Sequence, residues 1–514
     1  MKLKILGVLL LSLTLQLQAQ SIPNEEWIKP LEKNIESMAL ELEQVLNTSQ
    51  PPKSIFNITK YGAVGDGKTL NTLAIQEAID ACSQSGGGRV LVPEGEYLSG
   101  TIVMKDNVDL HISRNAVLLG SPNPVDYLVF KGDFRNNTDR QVDKSLILAH
   151  KRSNIQLTGQ GIIDFNGYTE IFQTGIGNDI RRPFGIRFIS CKNILIEGLY
   201  LTNSIQWLQH YIDCDNLRIH NIKVYNHANK NNDGMDIDGC RNVLVSDCEV
   251  DSDDDAICLK SNGLSACENV LIKNCIAKSH CNALKMGTES TGGFKNVIIR
   301  DCQVFSPERN EIVNGSLRGR STLTLIITDG GTMENILVKN IDSDGPHTPI
   351  YVTLGNRMRR YTKGFPDIPV GTIRNLKIAD FTALGAGPET SSITGLNDEH
   401  QLENVILENI NIELLYTNFN QEAVNVEKEW GKLKKGYPTC HVWNNPFSYG
   451  FYFRYTKGLH LQNIRFELAT ENTRYPARIV DCENVSVMNF KADVIDKSMP
   501  VIQVMRIKDY TAKY

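Results

Sequence analysis

Two short acidic motifs carry the residues best suited to chemistry: Asn231-Asn232-Asp233-Gly234-Met235-Asp236, and Ser252-Asp253-Asp254-Asp255. Like charges held close push their pKa values apart, so one carboxyl stays protonated as an acid while another serves as a base. Hydrolysis of a glycosidic bond uses such a pair, and the inverting form of the reaction needs about 6.5 to 9.5 Å between carboxyl groups to admit a water. The same residues are compatible with a solvated acidic turn, or with calcium, which takes carboxylate oxygens. The stretch 233–238 lacks the spacing and terminal Glu of a calcium loop, and neither a metal nor a cofactor is expected.

The carboxylates need a scaffold that brings them together, and a repeat supplies it. Arg241-Asn-Val-Leu-Val-Ser-Asp-Cys, Glu268-Asn-Val-Leu-Ile-Lys-Asn-Cys and Lys295-Asn-Val-Ile-Ile-Arg-Asp-Cys are copies of one unit, with register asparagines Asn242, Asn269 and Asn296. Weaker copies carry Asn107, Asn154, Asn193 and Asn216 upstream, and Asn335, Asn375, Asn404 and Asn484 downstream. Each unit reads as two short strands joined by a turn, and the central spacing of about 23 to 27 residues suits one coil of a parallel β-helix. Parallel crossovers are right-handed almost without exception. The expected fold is therefore all-β, a right-handed parallel β-helix (solenoid). Asp233 and Asp254, 21 residues apart, then emerge from neighbouring coils on one face. Asp255 and Asn282, each thirteen residues past its register asparagine, stack directly.

Residues 1–19 read as a signal peptide: Lys2 and Lys4, the apolar run Ile5 to Leu15, and Leu17-Gln18-Ala19 as a cleavage site. The run is too short to span a membrane, so export to the periplasm or outside the cell is expected, without membrane insertion. Residues 20–52 form a helical segment, with Trp27, Ile28, Leu31, Ile35, Met38, Ala39, Leu42, Val45 and Leu46 on one stripe from Glu25 to Asn47. Residues 53–514 form the single β-helix domain, opening with a strand at Phe56–Thr59 and a capping helix from about Thr72 to Cys82. The glycine turn Tyr61-Gly-Ala-Val-Gly-Asp-Gly67 lacks the βαβ context and partner acid of a dinucleotide fingerprint. A net charge of −5 excludes a general cationic field for nucleic acid. Eight of the twelve cysteines recur at fixed coil positions, Cys191, Cys214, Cys240, Cys267 and Cys482 two residues before a register asparagine and Cys248, Cys275 and Cys302 six after one, which reads as stacked core thiols rather than disulfides.

Several motifs resemble glycoside hydrolase family 28, the polygalacturonase and rhamnogalacturonan hydrolase family, in a bacterial form. They are the Tyr61–Gly67 opening, Gly86-Gly-Gly-Arg-Val-Leu-Val-Pro93, the coil repeats and Tyr449-Gly-Phe-Tyr452. The family's Asn-Thr-Asp motif matches Asn231, Asn232 and Asp233, with Asn232 replacing Thr, and its paired aspartates match Asp254 and Asp255. The resemblance implies that Asp254 is the general acid and that Asp233 and Asp255 activate water for inversion. It also implies a polysaccharide or oligosaccharide substrate of the pectin type.

Two departures qualify the substrate. The family's Gly-His-Gly is here Cys281-Asn282-Ala283, with His280 displaced by two residues. Its Arg-Ile-Lys motif falls near Thr322–Thr328, which holds no basic residue; Arg506-Ile507-Lys508 repeats those letters many coils away. Candidate substrate-binding residues are Asn231, Lys260, His280, Asn282, Lys285 and Arg357. Arg318, Arg320, Arg359 and Arg360 are further cations that could hold a carboxylate. Loss of both signatures favours rhamnogalacturonan or a modified sugar over plain polygalacturonate. Insertions after Asn296, Asn335 and Asn404 would wall the groove and favour attack at chain ends. The competing functions are a β-helix polysaccharide lyase and a non-catalytic carbohydrate-binding solenoid.

Overall fold

A computed structural model describes residues 27–45, 54–131, 144–174, 182–359, 367–415, 426–440, 448–471, 473–494 and 496–514. The expected signal peptide and Arg360 lie outside the described residues. The strand pairings among these residues are parallel, and the strands stack coil upon coil into a right-handed parallel β-helix. One sheet of thirteen strands runs from Ile102–Val103 to Ile502–Met505, and its middle carries the acidic motifs.

Each register asparagine has a physical reason. Asn107, Asn154, Asn193, Asn216, Asn242, Asn269, Asn296, Asn335, Asn375, Asn404 and Asn484 all have φ between 51° and 63°. Asn adopts this left-handed conformation more readily than other residues with a side chain. The side chains also form a ladder, Asn269 Nδ2 donating to Asn242 Oδ1 at 3.1 Å and Asn296 Nδ2 to Asn269 Oδ1 at 3.1 Å. Between Asn404 and Asn484 one coil has no such Asn. There Gly458, at φ 74°, takes the position, since glycine meets the dihedral without strain. After each asparagine the β-branched run turns one side inward: Val243, Val270 and Val297 stack in register, all fully buried. All twelve cysteines are free and buried, as the periodic placement of eight of them suggested.

Helix α1 (Ile28–Val45) lies against the outside of the solenoid. Leu31, Ile35, Ala39 and Leu42 pack on Leu244, Leu271, Ile298 and Leu337, the outward residues of four stacked strands. Ion pairs rim this seam, Glu43 with Lys273 and Arg300, Glu36 with Arg300 and Lys339, and Glu32 with Lys377. Helix α2 (Thr72–Gln84) buries Ile75, Ala78, Ile79 and Cys82 against the first coil and caps it. The expected strand at 56–59 is shorter, Ile55–Asn57, because Asn57 accepts from the Thr59 N–H and starts a 3-10 turn at Ile58.

Candidate active site

Four strands of the thirteen-stranded sheet form the floor: β1 (Gln209–Ile212), β2 (Met235–Asp238), β3 (Ile257–Ser261) and β4 (Asn282–Ser290), followed by β5 (Ser321–Ile327) and β6 (Thr348–Leu354). Asp236, Cys258, Lys285, Thr324 and Tyr351 occupy one outward row across these strands. Just before the strands begin, the chain enters from a common edge of the sheet. Asp233, Asp255 and Asn282 share that edge, two residues ahead of the paired Met235, Ile257 and Leu284. Asn282 Nδ2 donates to Asp255 Oδ1 at 2.6 Å, so the expected stacking of these two residues is present.

Asp233, Asp254 and Asp255 each offer a carboxylate oxygen, and these oxygens lie within 4.8 Å of one another. Asn232, in the place of a threonine, is fully buried and works on the backbone. Its Oδ1 accepts the Asp254 N–H at 3.1 Å, and its Nδ2 donates to the Asn226 carbonyl at 2.7 Å. Asp254 keeps one oxygen on the Asp255 N–H at 3.0 Å and the other on Asn314 Nδ2 at 2.9 Å.

The charges around this cluster are unusual for the floor of a groove. Lys285, its side chain 5% exposed, places Nζ 2.5 Å from Asp255 Oδ2. Lys260, 3% exposed, reaches Asp236 at 3.1 Å, Asp233 at 3.4 Å and Glu289 at 3.7 Å, and sits 4.6 Å from the centre of the Trp207 ring. Burial raises the pKa of Asp255, but Lys285, Lys260 and Asn282 outweigh it and hold the carboxyl below its ordinary value. Burial, then Asp255, raises Asp254 against the pull of Lys285 and Asn314. Asp233 is pushed well above its ordinary value by burial, Asp236 and Asp254. Burial carries Asp236 up to about 7 despite Lys260, whereas Lys260, Arg357 and Lys285 overcome burial to bring Glu289 down to about 2. Within the Asp233–Asp254–Asp255 cluster, Asp255 is thus held below its ordinary pKa and the other two above theirs, the division that acid/base chemistry uses.

The remaining expected binding residues divide. Asn231 stands at the exposed rim and accepts from Arg182 at 3.0 Å. His280 is enclosed, stacks edge-on against His227 at 5.5 Å, and has no hydrogen-bond partner on either ring nitrogen among the described residues. It lies beside Asp253 rather than at the Asp233–Asp255 pair. Arg357 spends its guanidinium on Asp329 and Thr288. Arg359, 40% exposed, is 3.6 Å from Glu289. Asp236, Glu289, Asn314 and Trp207 are site residues that sequence reasoning did not single out. Asp236 was within reach, since it stands between the apolar Met235 and Ile237 on a strand and alternation puts it on the outward row.

Insertions close over the floor on both sides. Helix α3 (Val426–Leu433) and the residues after it lay Trp430 and Cys440 on Ile326, Tyr351, Tyr452 and Val480. Lys434 Nζ donates to Thr353 Oγ1 at 2.6 Å and Thr394 Oγ1 at 2.8 Å, and Trp430 Nε1 to the Leu396 carbonyl at 2.6 Å. On the other side Arg309, from the insertion after Phe305, bridges to Tyr168 Oη at 2.6 Å and the His227 carbonyl at 3.3 Å.

Comparison with known proteins makes the class of this parallel β-helix specific. Residues 82–429 match the family model of glycosyl hydrolases family 28. The chain belongs to that family. It is 32% identical over 216 residues to a probable polygalacturonase of Vitis vinifera, covering 40% of this chain and 44% of the relative. It is 28% identical over 261 residues to an exo-poly-alpha-D-galacturonosidase of Dickeya chrysanthemi, covering 41% and 43%. The chain thus spans less than half the length of these curated relatives. In three dimensions it is similar to a hyperthermoactive exopolygalacturonase from Thermotoga maritima, with a TM-score of 0.61, 23% identity, and coverage of 74% of this chain and 91% of that one. At that identity the likeness speaks for the fold.

Proposed function

We propose that this chain is an exported glycoside hydrolase that cleaves pectin-type polysaccharide or oligosaccharide, containing galacturonate or rhamnogalacturonan, by acid/base catalysis with inversion, working from chain ends. The observation that carries the reading is the three-aspartate cluster within 4.8 Å in which Lys285 keeps Asp255 ionised and burial favours a proton on Asp254. Asp254 is then the acid that protonates the leaving oxygen and Asp255 the base that activates water. Asp233, whose pKa is pushed up, is less available in its ionised form than the family resemblance implies, and is better suited to hold the water by a hydrogen bond. Inversion is taken from that resemblance. The closest approach of the oxygens is narrower than the gap between carboxyl groups usual for inverting enzymes.

Chain-end attack is supported by α3 covering the floor and by the Arg309 bridge, and the names of the Dickeya and Thermotoga relatives agree with it. Export is supported by the positive and apolar start of the sequence. Lys260 and Lys285 are proposed to set the charge state of the aspartates, and Asn231, Asn282 and Arg359 to face the sugar. A lyase would need calcium and a basic catalyst at the same groove, and two ammonium groups already neutralise these carboxylates. The test is incubation of the purified protein with homogalacturonan, rhamnogalacturonan and their oligomers. New saturated reducing ends released as short products are expected. Ultraviolet-absorbing unsaturated ends would make it a lyase, and tight binding without cleavage across the panel a non-catalytic solenoid.

A further inference from the structure

The carboxyl of Asp254 is held by a segment that the coil repeat does not include. Asn314 belongs to the long insertion between Phe305 and Ser321, and its amide donates to Asp254 Oδ2. Three backbone hydrogen bonds fix that segment. Asp253 Oδ2 accepts the Val313 N–H and Asp253 Oδ1 the Asn314 N–H, both at 2.8 Å. The Ser316 N–H donates to the His280 carbonyl at 2.7 Å. Between them, Gly315 has φ 96°, and a Cβ there would lie 2.1 Å from the same carbonyl oxygen. The Asp253 side chain is fully enclosed, with His227 behind it at 3.9 Å and His227 held in turn by Asp251 at 2.8 Å.

We propose that Asp253 and Asn314 are positioning residues for the acid: Asp253 clasps the inserted segment by two adjacent backbone N–H groups, and Asn314 then fixes the orientation of the Asp254 carboxyl. This rests on the reading of Asp254 as the acid. A carboxylate that accepts two neighbouring amides holds a loop firmly, because each bond to a charged acceptor is about twice as strong as a neutral one. The segment therefore stands ready before substrate arrives. Preorganisation of this kind matters because a catalytic group must lie within a fraction of an ångström of its working geometry. It also gives the buried Asp251–His227–Asp253 group a task, that of holding the clasp from behind.

The clasp separates kcat from KM. Asn314→Ala should lower kcat about tenfold to a hundredfold on the pectic oligomer that wild type cleaves, the range for losing a hydrogen bond to a charged group, with KM changed less than about twofold. Its loss also removes a donor that favours the ionised carboxyl, so the alkaline limb of the pH–rate profile moves to higher pH. Titration of the Asp254 carboxyl by 13C NMR, assigned by its absence in Asp254→Asn, should show the same upward movement without any substrate. Asp253→Asn should quicken hydrogen exchange at Val313 and Asn314 and lower kcat in the same way. A wild-type kcat and an unmoved Asp254 titration in Asn314→Ala, with Asp254→Asn inactive, would overturn the clasp alone. Turnover by Asp254→Asn would instead overturn the reading of the acid.

Discussion

The same coils present two opposite surfaces. On the α1 side, Leu244, Leu271, Ile298 and Leu337 repeat one apolar position and are covered by one apolar stripe. On the β2–β4 side, the same stretch of chain buries Asp236, Lys260, Lys285 and Glu289 on what would otherwise be an ordinary sheet face. The first surface is regular and stabilises by excluding water from hydrocarbon. The second is irregular and holds charges that depend on one another, a constellation that contributes little net stability but is costly to disturb singly.

Breaking one member of each surface measures the difference. Lys285→Met leaves Asp255 buried without its closest counter-charge and should destabilise by about 4 kcal/mol, read as a fall in the urea midpoint at neutral pH and partly restored at low pH, where Asp255 takes a proton. Ile298→Ala opens a cavity beneath α1 and should cost about 3 kcal/mol at any pH. Asn269→Ala removes one rung of the ladder and forces a left-handed dihedral on alanine, which together should cost about 2 kcal/mol. An Ile298→Ala loss that varied with pH as steeply as that of Lys285→Met would erase the distinction between the two surfaces.

What could be read in the sequence follows the same division. The Asn, Cys and β-branched positions were legible because each coil makes the same demands: a left-handed turn, a small buried side chain, an inward strand residue. Asp255 was legible because, like Asn282, it lies thirteen residues past its register asparagine, and Asp233 and Asp254 because their separation of 21 residues is close to one coil. Glu289 was hidden because the pairing of β3 with β4 shifts register beyond Leu259, so counting along the repeat no longer says where it points. Asn314 and Trp430 come from insertions with no period at all, and their contacts are made across the fold rather than along it. Lys260 and Lys285 were picked for the right coils but expected to meet substrate; both are occupied by internal carboxylates.

The charge pattern also sets the pH dependence. Asp255, held below its ordinary pKa, must be ionised, and Asp254, held above it, must be protonated. The rate should therefore fall as pH drops through the depressed value of Asp255 and again as pH rises through the elevated value of Asp254, giving a bell-shaped kcat/KM profile. Lys285→Met should move the acidic limb to higher pH and, because Lys285 also pulls Asp254 down, carry the alkaline limb upward with it.

The most direct test is the turnover of Asp254→Asn on the oligomer that wild type cleaves, alongside circular dichroism and substrate binding. Loss of the general acid should reduce kcat by about a hundredfold to ten-thousandfold, with the fold and binding retained. A folded Asp254→Asn protein that turns over at the wild-type rate would contradict the assignment of the aspartate cluster as the acid/base centre.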